Sequence, residues 1–161
     1  MKPNKSFKRL SHDIRSAILD ISLAAHVGHV GSAFSIVEIL TAIYFGILQN
    51  KPKSKIWKPN DIFILSKGHA APALYATLFE RGLISKKDLE SYCQNGSLFE
   101  EHPNHLIPAV EVSTGSLGHG LSIGIGYALA ARINQKKRNV AVLISDAECN
   151  EGETWEAALS A

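Results

Sequence analysis

The chain has 161 residues, 45% of them hydrophobic and 20% charged, with a formal net charge of +2. That apolar content suits one ordinary globular domain with a real core, and little more. Basic residues cluster at Lys2, Lys5, Lys8 and Arg9 and at Lys136, Lys137 and Arg138. Both clusters read as solvated helix termini, and no nucleic acid is expected as a partner.

The two cysteines, Cys93 and Cys149, match neither a metal motif nor a disulfide framework. The basic start lacks the apolar stretch of a signal peptide, and no run of about 18 apolar residues predicts a membrane span. A cytoplasmic location with no membrane partner is the expectation, with residues 1–7 as a flexible tail.

From Ser6 to about Val27, Leu10, Ile14, Ala17, Ile18, Ile21 and Ala25 recur at helical spacing and predict a long amphipathic helix. Gly28 to Ser32 break it. Ser35 and Glu38 have capping-box spacing and should open a second helix carried by Ile39, Ile43 and Leu48. Asp61 to Leu65 is too short and apolar for a helix, so it reads as a buried strand. Ala70 to Arg81 is predicted helical and stopped by Gly82, and Ser85 with Asp88 opens another helix ending near Asn95–Gly96. Residues 97–117 are loop-rich, with a short strand expected at Ala109 to Val112. Gly118 to Asn134 predicts a closely packed helix, rich in small residues. After a turn at Lys136 to Arg138, Asn139 to Ile144 reads as a second buried strand, and Glu151 onward as helix.

Strands apolar on both faces, alternating with helices, predict an α/β fold with a mainly parallel sheet flanked by helices. In such sheets ligands bind beyond the carboxyl ends of the strands. Three stretches are expected there: Ser66 to Ala70, Ser113 to Gly120, and Ser145 to Glu148. Gly115, Gly118 and Gly120 read either as tight turns or as an anion cradle at a helix N-terminus. Asp146 reads either as a helix cap or as a ligand for a hard cation. Cradle and aspartate together point to a magnesium–diphosphate site. His29, His69 and His102 each sit beside glycine or proline in breaks between elements, where catalytic groups concentrate. His12, His26 and His105 are assigned as structural or exposed.

Five stretches in order, GHVG at 28–31, LSKGHA at 65–70, HP at 102–103, STGSLGHG at 113–120 and SDAECNEGETWEAA at 145–158, resemble the N-terminal region of transketolase. The likeness is to the bacterial type whose two halves are separate polypeptides. It implies the thiamine-diphosphate-binding fold and transfer of a two-carbon ketol unit from a ketose phosphate to an aldose phosphate, with thiamine diphosphate and Mg²⁺ as cofactors. It further implies that Asp146 binds magnesium, that Gly115, Ser116, Leu117 and Ala147 contact the cofactor, and that His69 lies near its diphosphate. His29 and His102 would bind the donor's hydroxyls and assist proton transfer. Glu151 and Glu156 would belong to an acidic network at a dimer interface. Glu148 and Glu153 are left as glutamates favoured by a helix dipole.

The resemblance also implies a partner half carrying the pyrimidine-binding domain, in a homodimer or heterotetramer, and sugar phosphates as substrates. Two departures stand out: the family's Gly-Asp-Gly is Ser145-Asp146-Ala147 here, and its GHPG is GHVG. The family motif continues well past the aspartate to an asparagine that completes the magnesium site, whereas 15 residues follow Asp146 here. Residues 1–161 are therefore expected to form one partial domain, inactive alone. Two other readings stay open: a thiamine-diphosphate synthase of the deoxyxylulose-phosphate type, and a degenerate subunit that only forms an interface.

Overall fold

Two short strands, β1 (Ile62–Leu65) and β2 (Val140–Leu143), pair in parallel with Ile62 opposite Val140 and Leu65 opposite Leu143. The computed structural model describes residues 5–48 and 61–161. Alternation along the strands sends side chains to opposite faces. Phe63, Leu65, Ala141 and Leu143 join the main core, while Ile64, Val140 and Val142 surround Gly124 on the other face. β1 is buried throughout, but β2 is only half-buried, less than its apolar sequence suggested.

The core face is covered by α1 (Phe7–Ala25), α2 (Val30–Phe34), α3 (Val37–Ala42) and α4 (Ala71–Arg81). Leu10, Ile14, Ile18 and Ile21 form the buried stripe of α1. Its first turn is capped by Ser6, whose hydroxyl accepts from the Arg9 amide at 3.2 Å. A left-handed His26 (φ 54°) ends it, with amide bonds returning to Ser22 and Leu23. α4 is buried from Ala71 to Leu78, as befits the central helix, and stops at Gly82, whose φ of +80° favours glycine. Packed on it is α5 (Lys86–Glu90), held by a complete Ser85–Asp88 capping box and ending earlier than the sequence suggested. The opposite face of the sheet carries α6 (His119–Ile133), which in turn packs on α7 (Gly152–Ser160). The result is an α/β architecture with a parallel sheet between helical layers.

Four expectations change. Helix α2 begins inside the predicted break at 28–32. Ser35 makes no capping box, because its hydroxyl donates to Ser32 O at 2.8 Å and Glu38 is drawn into a two-pronged pair with Arg15 at 2.5 and 2.7 Å. Residues 109–112 form no strand, since Ala109 takes a left-handed φ of 76°. Residues 30–47 do reach a mean hydropathy of 1.8 over 18 residues, the length and composition of a span. Val37, Leu40 and Tyr44 within them are nevertheless core residues, and the stretch is broken between α2 and α3 rather than forming one continuous helix.

Of the expected tail, residues 1–4 lie outside the described residues. Lys5 is tied to Asp13 at 2.6 Å and to Glu80 at 2.8 Å. Lys136, Lys137 and Arg138 are exposed, and both cysteines are free.

Candidate functional site

Because β1 and β2 run parallel, both strands deliver their following residues to the same edge of the sheet. Past β1 come Ser66, Lys67 and a tight turn over Gly68–Ala70; past β2 come Ser145, Asp146 and a second turn over Ala147–Asn150. Between them lies the glycine stretch that precedes α6. It is pinned at one end where the Thr114 hydroxyl donates to Leu65 O at 2.6 Å. At the other end the Gly118 amide donates to Glu148 Oε1 at 2.9 Å.

The glycines of this stretch divide by task. Gly118 caps α6 with a φ of +84°, and Gly120 exists to let α6 approach β1: a Cβ there would stand 2.4 Å from Ser66 Cβ. The Gly120 amide is itself taken by Ser66 Oγ at 3.2 Å. Gly118 and Gly120 are therefore packing and capping residues, which corrects the three-glycine cradle. The amides of Gly115, Ser116 and Leu117 have no acceptor among the described residues, so the anion-binding part narrows to these three.

The three candidate histidines converge here. The rings of His29 and His69 lie 5.2 Å apart, and the His102 ring packs against Gly115, 3.1 Å from where a Cβ would stand. His29 caps α2 in the left-handed region (φ 63°), a costly conformation outside glycine, and its Nε2 is 3.9 Å from Glu101. Buried Tyr75 fixes the third by donating its hydroxyl to His102 O at 2.9 Å. Burial, the Lys67 ammonium and the two neighbouring imidazoles hold His69 below its ordinary pKa, against a smaller opposing pull from Glu148. The neutral ring is thus the favoured form near pH 7, suited to exchanging hydrogen bonds rather than carrying charge. Of the others, His12 is exposed, His26 ends α1, and His105 Nδ1 pairs with Ser113 Oγ at 2.9 Å.

Asp146 is exposed at the start of the turn after β2 and makes no capping hydrogen bond. Of its two readings, the cap is therefore not realised, and the carboxylate is open to a cation. No cluster of three or more metal-binding side chains occurs among the described residues. A magnesium ion here would draw on Asp146, phosphate oxygens and water, the ordinary arrangement for that ion. Ala147 has no positive φ and its side chain is exposed, so the glycine-to-alanine departure brings no backbone strain. Glu151 sits at the N-cap position of α7 without a side-chain capping bond and, like Glu156, is exposed.

Two residues escaped the sequence reading. Lys67 is buried, with Nζ 3.2 Å from Ser32 O and 3.3 Å from Ser35 Oγ. Burial lowers its pKa, and Asp146 and Glu148 partly restore it. A buried lysine between carboxylates beside a free-amide loop is a ready partner for an anion. Its signal was a charged residue two positions after an all-apolar strand.

Glu148 is the second. It is fully buried, and its carboxylate accepts from Ser66 Oγ (2.5 Å), Gly118 N (2.9 Å) and Ser145 N (2.8 Å). Burial pushes its pKa up, but these bonds outweigh that and hold it below the usual carboxylate range. It is no helix-dipole glutamate. Glu153 likewise has a tertiary partner, the Ser122 hydroxyl.

Comparison with known proteins gives the family. Residues 6–161 match the family described as transketolase, thiamine diphosphate binding domain. The chain is 47% identical to one subunit of the apulose-4-phosphate transketolase of Actinobacillus succinogenes, over 83% of its own length and 49% of that protein's. It is 38% identical to a 6-deoxy-6-sulfo-D-fructose transketolase subunit from a Clostridium species, over 84% and 50%. The chain thus spans about half the length of these relatives. Among solved structures, a Pichia stipitis transketolase variant with fructose 6-phosphate superposes with a TM-score of 0.86 and 31% identity, covering 96% of this chain and 25% of that one. The chain belongs to the transketolase family, as part of its thiamine diphosphate-binding domain.

Proposed function

We propose that this chain binds the diphosphate end of thiamine diphosphate with Mg²⁺ and contributes to moving a two-carbon ketol unit from a ketose phosphate to an aldose phosphate. The observation that carries the reading is the convergence, at one sheet edge, of free amides at Gly115–Leu117, the Lys67 ammonium, open Asp146 and three histidines. When bound, the cofactor supplies the carbanion chemistry. The protein's share is placement and charge. Gly115, Ser116, Leu117 and Ala147 would hold the diphosphate, with Lys67 and His69 opposite its charge and Asp146 on the metal. His29 and His102 are placed to bind donor hydroxyls and to hold or pass a proton at an imidazole nitrogen.

The apulose-4-phosphate transketolase relatives are each one subunit of a divided enzyme, which supports a separate partner polypeptide that supplies the pyrimidine pocket. Exposed Glu151 and Glu156 are then free to join an interface network. The substrates in the relatives' names, apulose 4-phosphate and 6-deoxy-6-sulfo-D-fructose, favour a sugar or sugar phosphate as donor.

The test is calorimetric titration of the protein, with its partner polypeptide, by thiamine diphosphate with Mg²⁺ or with EDTA. Magnesium-dependent binding that Asp146→Ala abolishes is expected, together with turnover of a ketose phosphate and none of pyruvate. Equal binding by Asp146→Ala would remove Asp146 from the metal.

A further inference from the structure

We propose that Glu148 is a positioning residue that sets the diphosphate-binding loop, a role that rests on the cofactor reading above. Three chain segments meet on this one side chain. Oε1 accepts from Ser66, at the end of β1, and from the Gly118 amide, the cap of α6. Oε2 accepts from the Ser145 amide (2.8 Å) and hydroxyl (3.3 Å), just past β2. Its own amide donates back to Ser145 Oγ at 3.2 Å, and its carbonyl accepts from Thr154 Oγ1 at 2.7 Å, which ties in α7.

The free-amide loop Gly115–Leu117 hangs between two posts. One is Thr114 on Leu65 O, backed by close packing of Gly68 against Thr114, where a Cβ would meet the carbonyl at 2.7 Å. The other is Gly118 on Glu148. Only the second is charged, and a charge-assisted bond to an amide is stronger and more directional than a neutral one. Ser66 precedes Lys67, and Asp146 lies between Ser145 and Glu148, so the carboxylate also fixes the roots of the ammonium and the metal-binding aspartate. Glu148 takes the amide of Gly118, the cap of α6, and leaves the loop amides of Gly115, Ser116 and Leu117 to an incoming diphosphate. Four donors at 2.5, 2.8, 2.9 and 3.3 Å make it a fully satisfied internal anion, so it does not compete for the metal.

Glu148→Gln keeps the size but sets an amide N–H₂ against either the Gly118 amide or the Ser145 amide, so either the loop's second post or the tie to the root of Asp146 is lost. Calorimetry with Mg²⁺–thiamine diphosphate should show affinity weakened by about 10-fold or more, the usual cost of removing such a supporting partner. In the ligand-free protein the amide resonances of Gly115, Ser116 and Leu117 should shift. Thr154→Val is the control: it removes a buried bond to the Glu148 carbonyl but leaves the carboxylate in place, and should lower the melting temperature without moving those resonances. Should Glu148→Gln not fold, Ser66→Ala takes its place, with about a 3-fold loss expected from releasing one of the donors. Wild-type binding matched by Glu148→Gln, or by Ser66→Ala, overturns this role alone. Absence of binding by the wild type overturns the cofactor reading and this role with it.

Discussion

Replacing Gly120 with alanine puts a number on how closely α6 must approach β1. The added Cβ would lie 2.4 Å from both Cβ and Oγ of Ser66 and 2.8 Å from its Cα. Carbon atoms pack at about 3.5–4.0 Å, so one element must move by about 1 Å. Rotating the Ser66 side chain leaves the clash with its backbone in place, and Ser66 is anchored through its amide to Leu143 O at 2.9 Å. Helix α6 must therefore lift, stretching Gly120 N–Ser66 Oγ and Gly118 N–Glu148. Overpacking costs about 1–3 kcal/mol, and weakening two buried hydrogen bonds adds about 1 kcal/mol more. A total of about 2–4 kcal/mol lowers the melting temperature of a chain this size by roughly 5–15 °C. Gly126 on the same helix has nothing within 4 Å of its Cβ position, so Gly126→Ala should instead stabilise by about 0.5–1 kcal/mol through helix propensity. Urea unfolding followed by circular dichroism measures both. Gly120→Ala as stable as wild type would refute the close-approach argument.

The His69 ring should titrate below its ordinary value in a ¹H–¹⁵N NMR series, because burial and Lys67 disfavour its charged form. The unfolded chain then binds that proton more readily, so this histidine's contribution to stability falls as pH drops below about 6.5, and His69→Gln should flatten that part of the profile. Ala147→Gly should leave cofactor affinity within about twofold, because no left-handed backbone is needed there, whereas a large gain by calorimetry would show that the methyl obstructs the site. Ser85→Ala removes the cap of α5 and should cost about 1 kcal/mol in urea unfolding; no change would mean that packing of Leu89 alone holds that helix.

Much of the architecture was legible because local signals and burial agree. Leu10, Ile14, Ile18 and Ile21 can share one face only on a helix, and they are the buried stripe of α1. DIFIL is too short for a helix and too apolar for solvent, and it is the buried strand. Ser85 and Asp88 cap as written, whereas Ser35 and Glu38, with the same spacing, do not. The difference is Arg15, 23 residues away, which draws Glu38 into a tertiary pair.

The candidate site divides in the same way. Its histidines and its open aspartate sit in breaks beside glycine, proline or strand ends, so position pointed to them, whereas the resemblance to transketolase singled out Gly115, Ser116 and Leu117. Lys67 drew no attention and Glu148 read as a helix-dipole glutamate, because burial of a charge is decided by what the rest of the chain packs around it. Glu148 is the clearest case. From sequence it is one of several glutamates before a helix, but parallel pairing of β1 and β2 brings Ser66 and Ser145 to one edge, and α6 adds the Gly118 amide. The sequence by itself determined the elements and the residues able to do the chemistry. Only the tertiary structure decided which charges left water, because a carboxylate can be buried only where donors from distant segments meet to replace its hydration.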